Sequence, residues 1–396
     1  MTSLAESRAV DLLQIARLRD PHGVLSVYVD ADPREQAAVR PAWVVAAENG
    51  LDDVRDRVKA EGDRDRWSSL QRRLEALEDD LVAILDPRRP GRGRALFVAV
   101  GSGETRHVSM QMPLVDLVAL GDVAELTPLF VALERGRPAG LVAVSHTAVR
   151  VLEQHLGAVE ELRAFEIDPE TSDWREMKGP AGANPGLPQH AAPQRDRYER
   201  RLDENRARLL EAVAADLGRL CRERGWDRVA LAGDPRLTQR LVEELEPNPV
   251  DVSLDERTLN GRSATEIADV LAPKLEQASL RREAELVRRA TDAALSGNAG
   301  ALGLHDVLAA LQDGRVEHLL FDERVELQGA RTADGRLAPE GVVPPGVARE
   351  DLVPEPSLIG HVLERALATD ARVTPLSAAA AEPLAEHDGI AALLRW

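Results

Sequence analysis

The sequence predicts an α/β protein, α+β overall, divided into three domains. Three observations carry that prediction. Short runs of Val, Leu and Ala alternate with helical patterns between residues 139 and 254. Two earlier segments, about 38–60 and 64–85, repeat apolar residues at steps of three and four. Clusters of Gly and Pro punctuate the 396-residue chain where one pattern gives way to the next. At roughly 150 residues per domain, two or three domains fit this length. Their boundaries read as 1–136, 137–262 and 263–396.

In the first module a short helix over about 3–19 precedes the strand Val24–Val29, which Asp32-Pro33 closes. Ala47, Leu51, Val54 and Val58 form one seam, and Trp67, Leu70, Leu74, Leu77, Leu81 and Ile84 another, broken at Gly62. Seams of that period on two helices predict an antiparallel helical hairpin. The mixed charges of 52–66 are then its solvated face. Strands follow at Ala95–Val100 and Thr105–Gln111.

The second module opens with strands Leu141–Ser145, Val149–Gln154 and Leu162–Ile167. A Gly/Pro loop over 179–193 leads into a helix over 196–224, with Leu202, Leu209, Val213, Leu217 and Leu220 on one face and Gly225 as its stop. Strand Arg228–Ala232, helix 236–245 and strand Val250–Leu254 complete the layer. In the third module Ser263 and Glu266 read as a capping box for a helix over 264–296. A helix at 304–312, strand Val316–Phe321, helix 357–368, strand Arg372–Pro375 and strand Gly389–Arg395 finish the chain. The Pro/Gly-rich stretch 329–356 reads as a mobile excursion.

Composition excludes several functions. Apolar residues reach 44% but aromatics only 3%, so cores are aliphatic and stacking platforms for single strands are scarce. A net charge of −18 excludes coating nucleic acid with the whole surface, and no DNA partner is expected. Of the 50 cations only Lys59, Lys178 and Lys274 are lysines, a chain-wide skew that lowers the meaning of any single arginine cluster. The single Cys221 excludes a disulfide framework and a cysteine zinc site. No apolar run reaches the 18 residues of a membrane span, and the charged start MTSLAESRAVDLL is unlike a signal peptide. A soluble cytoplasmic protein without cofactor or metal is expected.

Motifs for catalysis are sparse. Gly101-Ser102-Gly103 is followed by Arg106 and a strand, so it reads as a hairpin turn and not a dinucleotide fingerprint. Ser145 and His146 adjoin on a strand and face opposite ways. The strand LVAVS carries no acid for a two-metal nuclease site. Two basic stretches remain. Residues 87–94 hold Arg88, Arg89, Arg92 and Arg94 with no acid, in a non-helical loop whose guanidiniums can meet phosphates or simply solvate a turn. Residues 195–208 hold Arg195, Arg197, Arg200 and Arg201 among acids, which alone would be an ordinary ion-paired helix face.

A Gly/Pro loop, Arg197-Tyr198, Arg200-Arg201, then a long helix, strand and helix resembles the middle domain of archaeal and eukaryotic class-one release factors, shared by their Pelota relatives and bacterial homologues. LSVYVDADPR at 25–34 is similar to the strand opening the bacterial members. LHDVLAALQDGRVEHLLF at 304–321 resembles the start of the family's C-terminal domain. DGIAALLRW at 388–396 is similar to the ends of bacterial members, among them relatives of Balon-type ribosome hibernation factors. The resemblance implies an N-terminal α/β domain with the helical hairpin, a central RNase H-like domain and a Pelota-type C-terminal domain. It also implies ribosomal RNA at the A site as partner, and delivery by elongation factor Tu or another translational GTPase.

The family's catalytic signature is Gly-Gly-Gln just before the Arg-aromatic pair. Two glycines let bare backbone enter a narrow site, and the Gln positions water at the peptidyl-tRNA ester. Here the segment is PGLPQHAAPQRDRY. Gln194 stands three residues before Arg197 and Gln189 eight before, and neither follows Gly-Gly. Pro193 fixes φ where freedom is needed. Three expectations follow: a ribosome-binding factor that hydrolyses nothing, acting in hibernation or stress; a rescue hydrolase using Gln194 or Gln189; or a protein-binding scaffold away from the ribosome.

Overall fold

The computed structural model describes residues 12–35, 40–167, 174–177, 192–245 and 250–396. It forms two compact units, one of residues 1–135 with 282–396, the other of residues 136–281. The sequence divides the chain into three successive modules instead. The grouping differs because the apolar surface of the first and last segments is shared.

The N-terminal part of the first unit starts with α1 (Leu12–Ala16) and β1 (Val24–Asp30). The helix expected over 3–19 is described only in that portion. Next come α2 (Ala42–Glu61), α3 (Arg64–Ala76) and α4 (Glu78–Leu85). Gly62 ends α2 in the left-handed region at φ 78°, and Asp63 caps α3 by accepting from the Asp65 and Arg66 amides. The second arm of the expected hairpin is thus two helices, divided at Leu77. Strands β2 (Gly93–Ala99), β3 (Thr105–Met110) and β4 (Leu117–Gly121) and helix α5 (Thr127–Arg135) follow. The sheet runs β3-β2-β1-β4, and Gly101–Gly103 is the β2–β3 turn.

β1 explains why its sequence is apolar without alternation. Leu25, Val27 and Val29 join the core with Trp43, Val54, Val58, Leu70 and Leu74. Val24 and Tyr28, of the opposite parity, join a second core with Phe97, Leu129, Leu308, Phe321 and Val362. Both faces of the strand are covered.

The second unit contains β5 (Ala139–Val144), β6 (Ala148–His155), β7 (Ala158–Ile167), β8 (Trp174–Met177), α6 (Ala192–Arg224), β9 (Arg228–Gly233), α7 (Pro235–Leu245), β10 (Asp251–Asp255) and the start of α8 (Ala264–Leu295). Its six-stranded sheet runs β10-β9-β5-β6-β7-β8, with β5, β9 and β10 mutually parallel. Val142, Val144, Val229 and Leu231 pack on Leu209, Val213, Leu217 and Leu220 of α6. Leu141, Ala143, Ala230 and Ala232 pack on Ile267, Leu271 and Leu275 of α8. Helices therefore cover both faces of the parallel strands.

The remainder of the first unit holds β11 (Gly300–Leu302), α9 (Gly303–Gln312), β12 (Val316–Asp322), β13 (Gly329–Arg331), β14 (Leu337–Pro339), β15 (Val353–Glu355), α10 (Ile359–Ala368), β16 (Arg372–Leu376), α11 (Ala378–Ala381) and β17 (Ile390–Leu394). A sheet of order β11-β17-β12-β16 carries the core. The stretch 329–356, expected as a mobile excursion, instead builds the small sheet β14-β13-β15.

Candidate nucleic-acid interface

The arginine loop after α4 is organised from within. Asp86 Oδ1 accepts the Arg88 amide at 2.9 Å and the Asp86 carbonyl accepts the Arg89 amide at 3.2 Å, folding the chain at Pro87. Gly91 holds φ 95°, and a Cβ there would lie 2.0 Å from Ser109 Oγ. Arg94 fills the inside of the turn. Its Nε donates to the Gly91 carbonyl, its Nη1 to Ile84 and Asp86, and its Nη2 to Arg89. The residue is 4% exposed, and burial pushes its guanidinium below its ordinary value.

Arg92 is committed as well. It makes a two-pronged pair with Asp30, at 2.7 and 2.9 Å, and reaches Asp32 at 3.2 Å. The hydrogen bond it donates to Asp30 is the main cause of its raised pKa. Two of the four guanidiniums expected to meet phosphate are therefore withdrawn, Arg94 into the turn and Arg92 onto β1. The sequence window hid this because the acids lie some sixty residues upstream. Arg88 and Arg89 remain exposed, with side chains that make no ion pair among the described residues.

Arg34 was not singled out from the sequence. The Ala31 amide donates to the Arg92 carbonyl, which runs residues 31–34 alongside the loop, and Arg34 is exposed there. Only the Asp-Pro turn that precedes it was a signal.

In the second unit, Gln194, Arg195, Arg197, Arg200 and Arg201 all lie on α6, whose backbone is helical from Ala192. Their side chains fall outside the described residues, and Gln189 and most of the 179–193 loop fall outside them altogether. Helical spacing places positions 194, 197 and 201 on one side of α6, three and four residues apart. Pro193 sits within the first turn, where its missing N–H costs nothing.

The carboxyl ends of β5, β9 and β10 are where open α/β sheets bind ligands. Gly233 ends β9 at φ 149°, and a Cβ would stand 2.1 Å from the Val144 carbonyl, so only glycine fits. Asp234 follows, accepting the Arg236 amide at 2.8 Å and lying 3.6 Å from His146 Nε2. Asp255 is gripped by Arg257 at 2.8 and 2.7 Å, the main cause that holds its carboxyl below the usual range. Ser145 is occupied in the β5–β6 turn, its Oγ accepting the Thr147 and Ala148 amides. These groups cap and pair, and none forms a nucleophile with its base. Burial pushes the Cys221 thiol up to about 11, so it is not a thiolate at neutral pH. Among the described residues no group of three His, Cys, Asp or Glu could hold a metal ion, and no helix is long and apolar enough to cross a membrane.

Residues 138–272 match the model of Bacterial archaeo-eukaryotic release factor family 5. The uncharacterized protein YocB of Bacillus subtilis is 20% identical over 258 residues, covering 65% of this chain and 95% of the relative. Among solved structures, the archaeal translation termination factor aRF1 is 18% identical, covering 97% of this chain and 96% of its own, with a TM-score of 0.25. Pelota of Archaeoglobus fulgidus is 16% identical, covering 77% and 79%, with a TM-score of 0.34. Dom34 of S. cerevisiae, a translation termination-like factor, is 11% identical, covering 77% and 79%, with a TM-score of 0.39. Residues 138–272 run from the edge of β5 into α8 and include every described strand of the six-stranded sheet. Through this part, the chain resembles the bacterial members of the archaeo-eukaryotic release factor and Pelota family.

Proposed function

We propose that the chain is a translation factor that binds the ribosome, occupying the A site in hibernation or stress without hydrolysing peptidyl-tRNA. The observation that carries this reading is the family match over residues 138–272. Two features support the absence of hydrolysis. The segment before Arg197 contains no Gly-Gly-Gln, and Ala192, Pro193 and Gln194 are in helix, not at the tip of a glycine loop. RNA contact falls to exposed Arg88 and Arg89, with Arg195, Arg197, Arg200 and Arg201 on α6. A net charge of −18 is compatible with this, because phosphate contacts are local while the remaining surface faces solvent. Elongation factor Tu or another translational GTPase is the proposed carrier.

The test uses purified 70S ribosomes holding a labelled peptidyl-tRNA and an empty A site. The protein is expected to co-sediment with them and leave the ester intact. Release well above background, lost in Gln194→Ala or Gln189→Ala, would make it a rescue hydrolase. Failure to co-sediment at low salt would remove the ribosomal reading.

A further inference from the structure

The first unit holds a polar cavity of about 290 Å³ between α10, the β13–β14 turn and the segment after α1. Arg19, Arg331, Arg365 and His361 line it, with Asp334 and Glu364 as the acids in its wall. Both acids are already met. Glu364 pairs with Arg19, which also donates to the Ala16 and Leu18 carbonyls. Asp334 accepts from the Thr332 hydroxyl and from Arg336 Nε, which lock the turn.

Two guanidiniums keep donors to spare. Arg331 gives Nη2 to Asp122 at 3.0 Å and its Nε is buried towards Glu355, which leaves Nη1 without a hydrogen bond among the described residues. Glu355 forms an ion pair with that Nε at 3.8 Å, too long for a hydrogen bond, and also meets His361 Nε2 at 3.2 Å. Arg365 stands one turn after His361 on α10 and makes no ion pair or side-chain hydrogen bond among the described residues. Unspent guanidinium donors in a concave, polar wall suit a tetrahedral oxyanion, which takes several N–H groups at once.

We infer that this cavity binds a phosphate group, either free or as the monoester of a small molecule. The inference goes beyond the ribosomal reading, because none of these residues belongs to the arginine loop or to α6. The volume exceeds that of a bare phosphate and leaves room for a sugar-sized body. Arg365 and Arg331 supply the charge, and the His361–Glu355 contact holds β15 against α10.

Equilibrium dialysis of the full chain against inorganic phosphate and, separately, ribose 5-phosphate at constant ionic strength tests this. Saturable binding at one site per chain is expected, about tenfold weaker in Arg365→Ala and unchanged in Arg288→Ala, an exposed ion-paired arginine on α8 outside the cavity. Tighter binding of ribose 5-phosphate assigns a monoester; equal or tighter binding of inorganic phosphate assigns the free anion. Should Arg365→Ala not fold, Arg365→Gln carries the same comparison. The inference is overturned if neither probe saturates, if the folded Arg365 variant binds as the parent does, or if Arg288→Ala loses binding equally. Because no ribosome is present, its failure is separate from failure of the ribosomal reading.

Discussion

Arg88 and Arg94 belong to one stretch of eight residues, yet the fold gives them opposite work. Arg94 supplies donors to four backbone carbonyls of the turn, of which the bond to Ile84 is buried and those to Asp86, Arg89 and Gly91 partly so. Arg94→Met is expected to cost about 2–4 kcal/mol, because the buried bond to Ile84 and three partly buried ones are lost together. A urea midpoint falling while the slope stays constant would show it, and a midpoint within error of the parent would refute it. Arg88→Ala and Arg89→Ala are expected to leave the midpoint in place. Their effect belongs to ribosome binding, where each lost phosphate contact lowers the salt slope by about one. Arg92→Ala is expected to leave that slope alone. From sequence the loop and its charge were legible, but not which cations were spent. That depended on Asp30 and Asp32, brought beside Arg92 by the β1–β2 ladder.

Elements with strong periodicity were legible and short ones were not. The seams of α2, α3 and α6 repeat over several turns, and the structure buries Val54, Val58, Leu70 and Leu217 accordingly. The strands β13, β14 and β15 have three residues each, too few for an alternation to register. Their prolines also argued against strand. Pro339 and Pro354 are tolerated because β14 and β15 are the edges of the sheet β14-β13-β15. The cap of α8 was visible as Ser263 and Glu266, and it forms: the Glu266 carboxylate accepts the Ser263 amide at 2.8 Å and Arg262 Nη1 at 2.9 Å. These contacts, the Ser263 amide first, hold the Glu266 carboxyl down from 4.5 to about 2. A depressed folded value means the stabilisation is present above the unfolded value and lost as pH falls through the folded one. The window is therefore from about 4.5 down to about 2. Glu266→Gln is expected to flatten the loss of stability across it. Exposure and salt screening make the effect small, and low ionic strength is the condition to use. Identical acid profiles for parent and variant would show that the cap carries no pH dependence.

At the scale of the whole molecule, sequence order and core membership part company. One core takes Phe97 and Leu129 from the first segment and Leu308, Phe321, Val362 and Ile390 from the last. No local pattern announces a core shared by residues two hundred apart, so a reading along the chain divides where the fold joins. The helix α8 adds to the difference. Ile267 and Leu271 pack in the second unit, while Leu286, Val287 and Ala290 pack with Leu320 and Leu376 in the first. A boundary placed just before α8 therefore cuts neither unit cleanly. This sets the final expectation, that residues 136–281 fold as an isolated fragment while residues 1–136 do not. The isolated 1–136 fragment would expose Tyr28, Phe97 and Leu129, all but fully buried in the complete chain, an apolar patch that favours aggregation. Fragment 136–281 retains both cores that cover its sheet. Proton–nitrogen correlation spectra of the two fragments decide between the alternatives. Dispersed amide signals from 136–281 and collapsed or broadened ones from 1–136 are expected. Cooperative folding of 1–136 alone would mean that its helix-covered face, built on Leu25, Val27 and Leu70, suffices without the C-terminal segment.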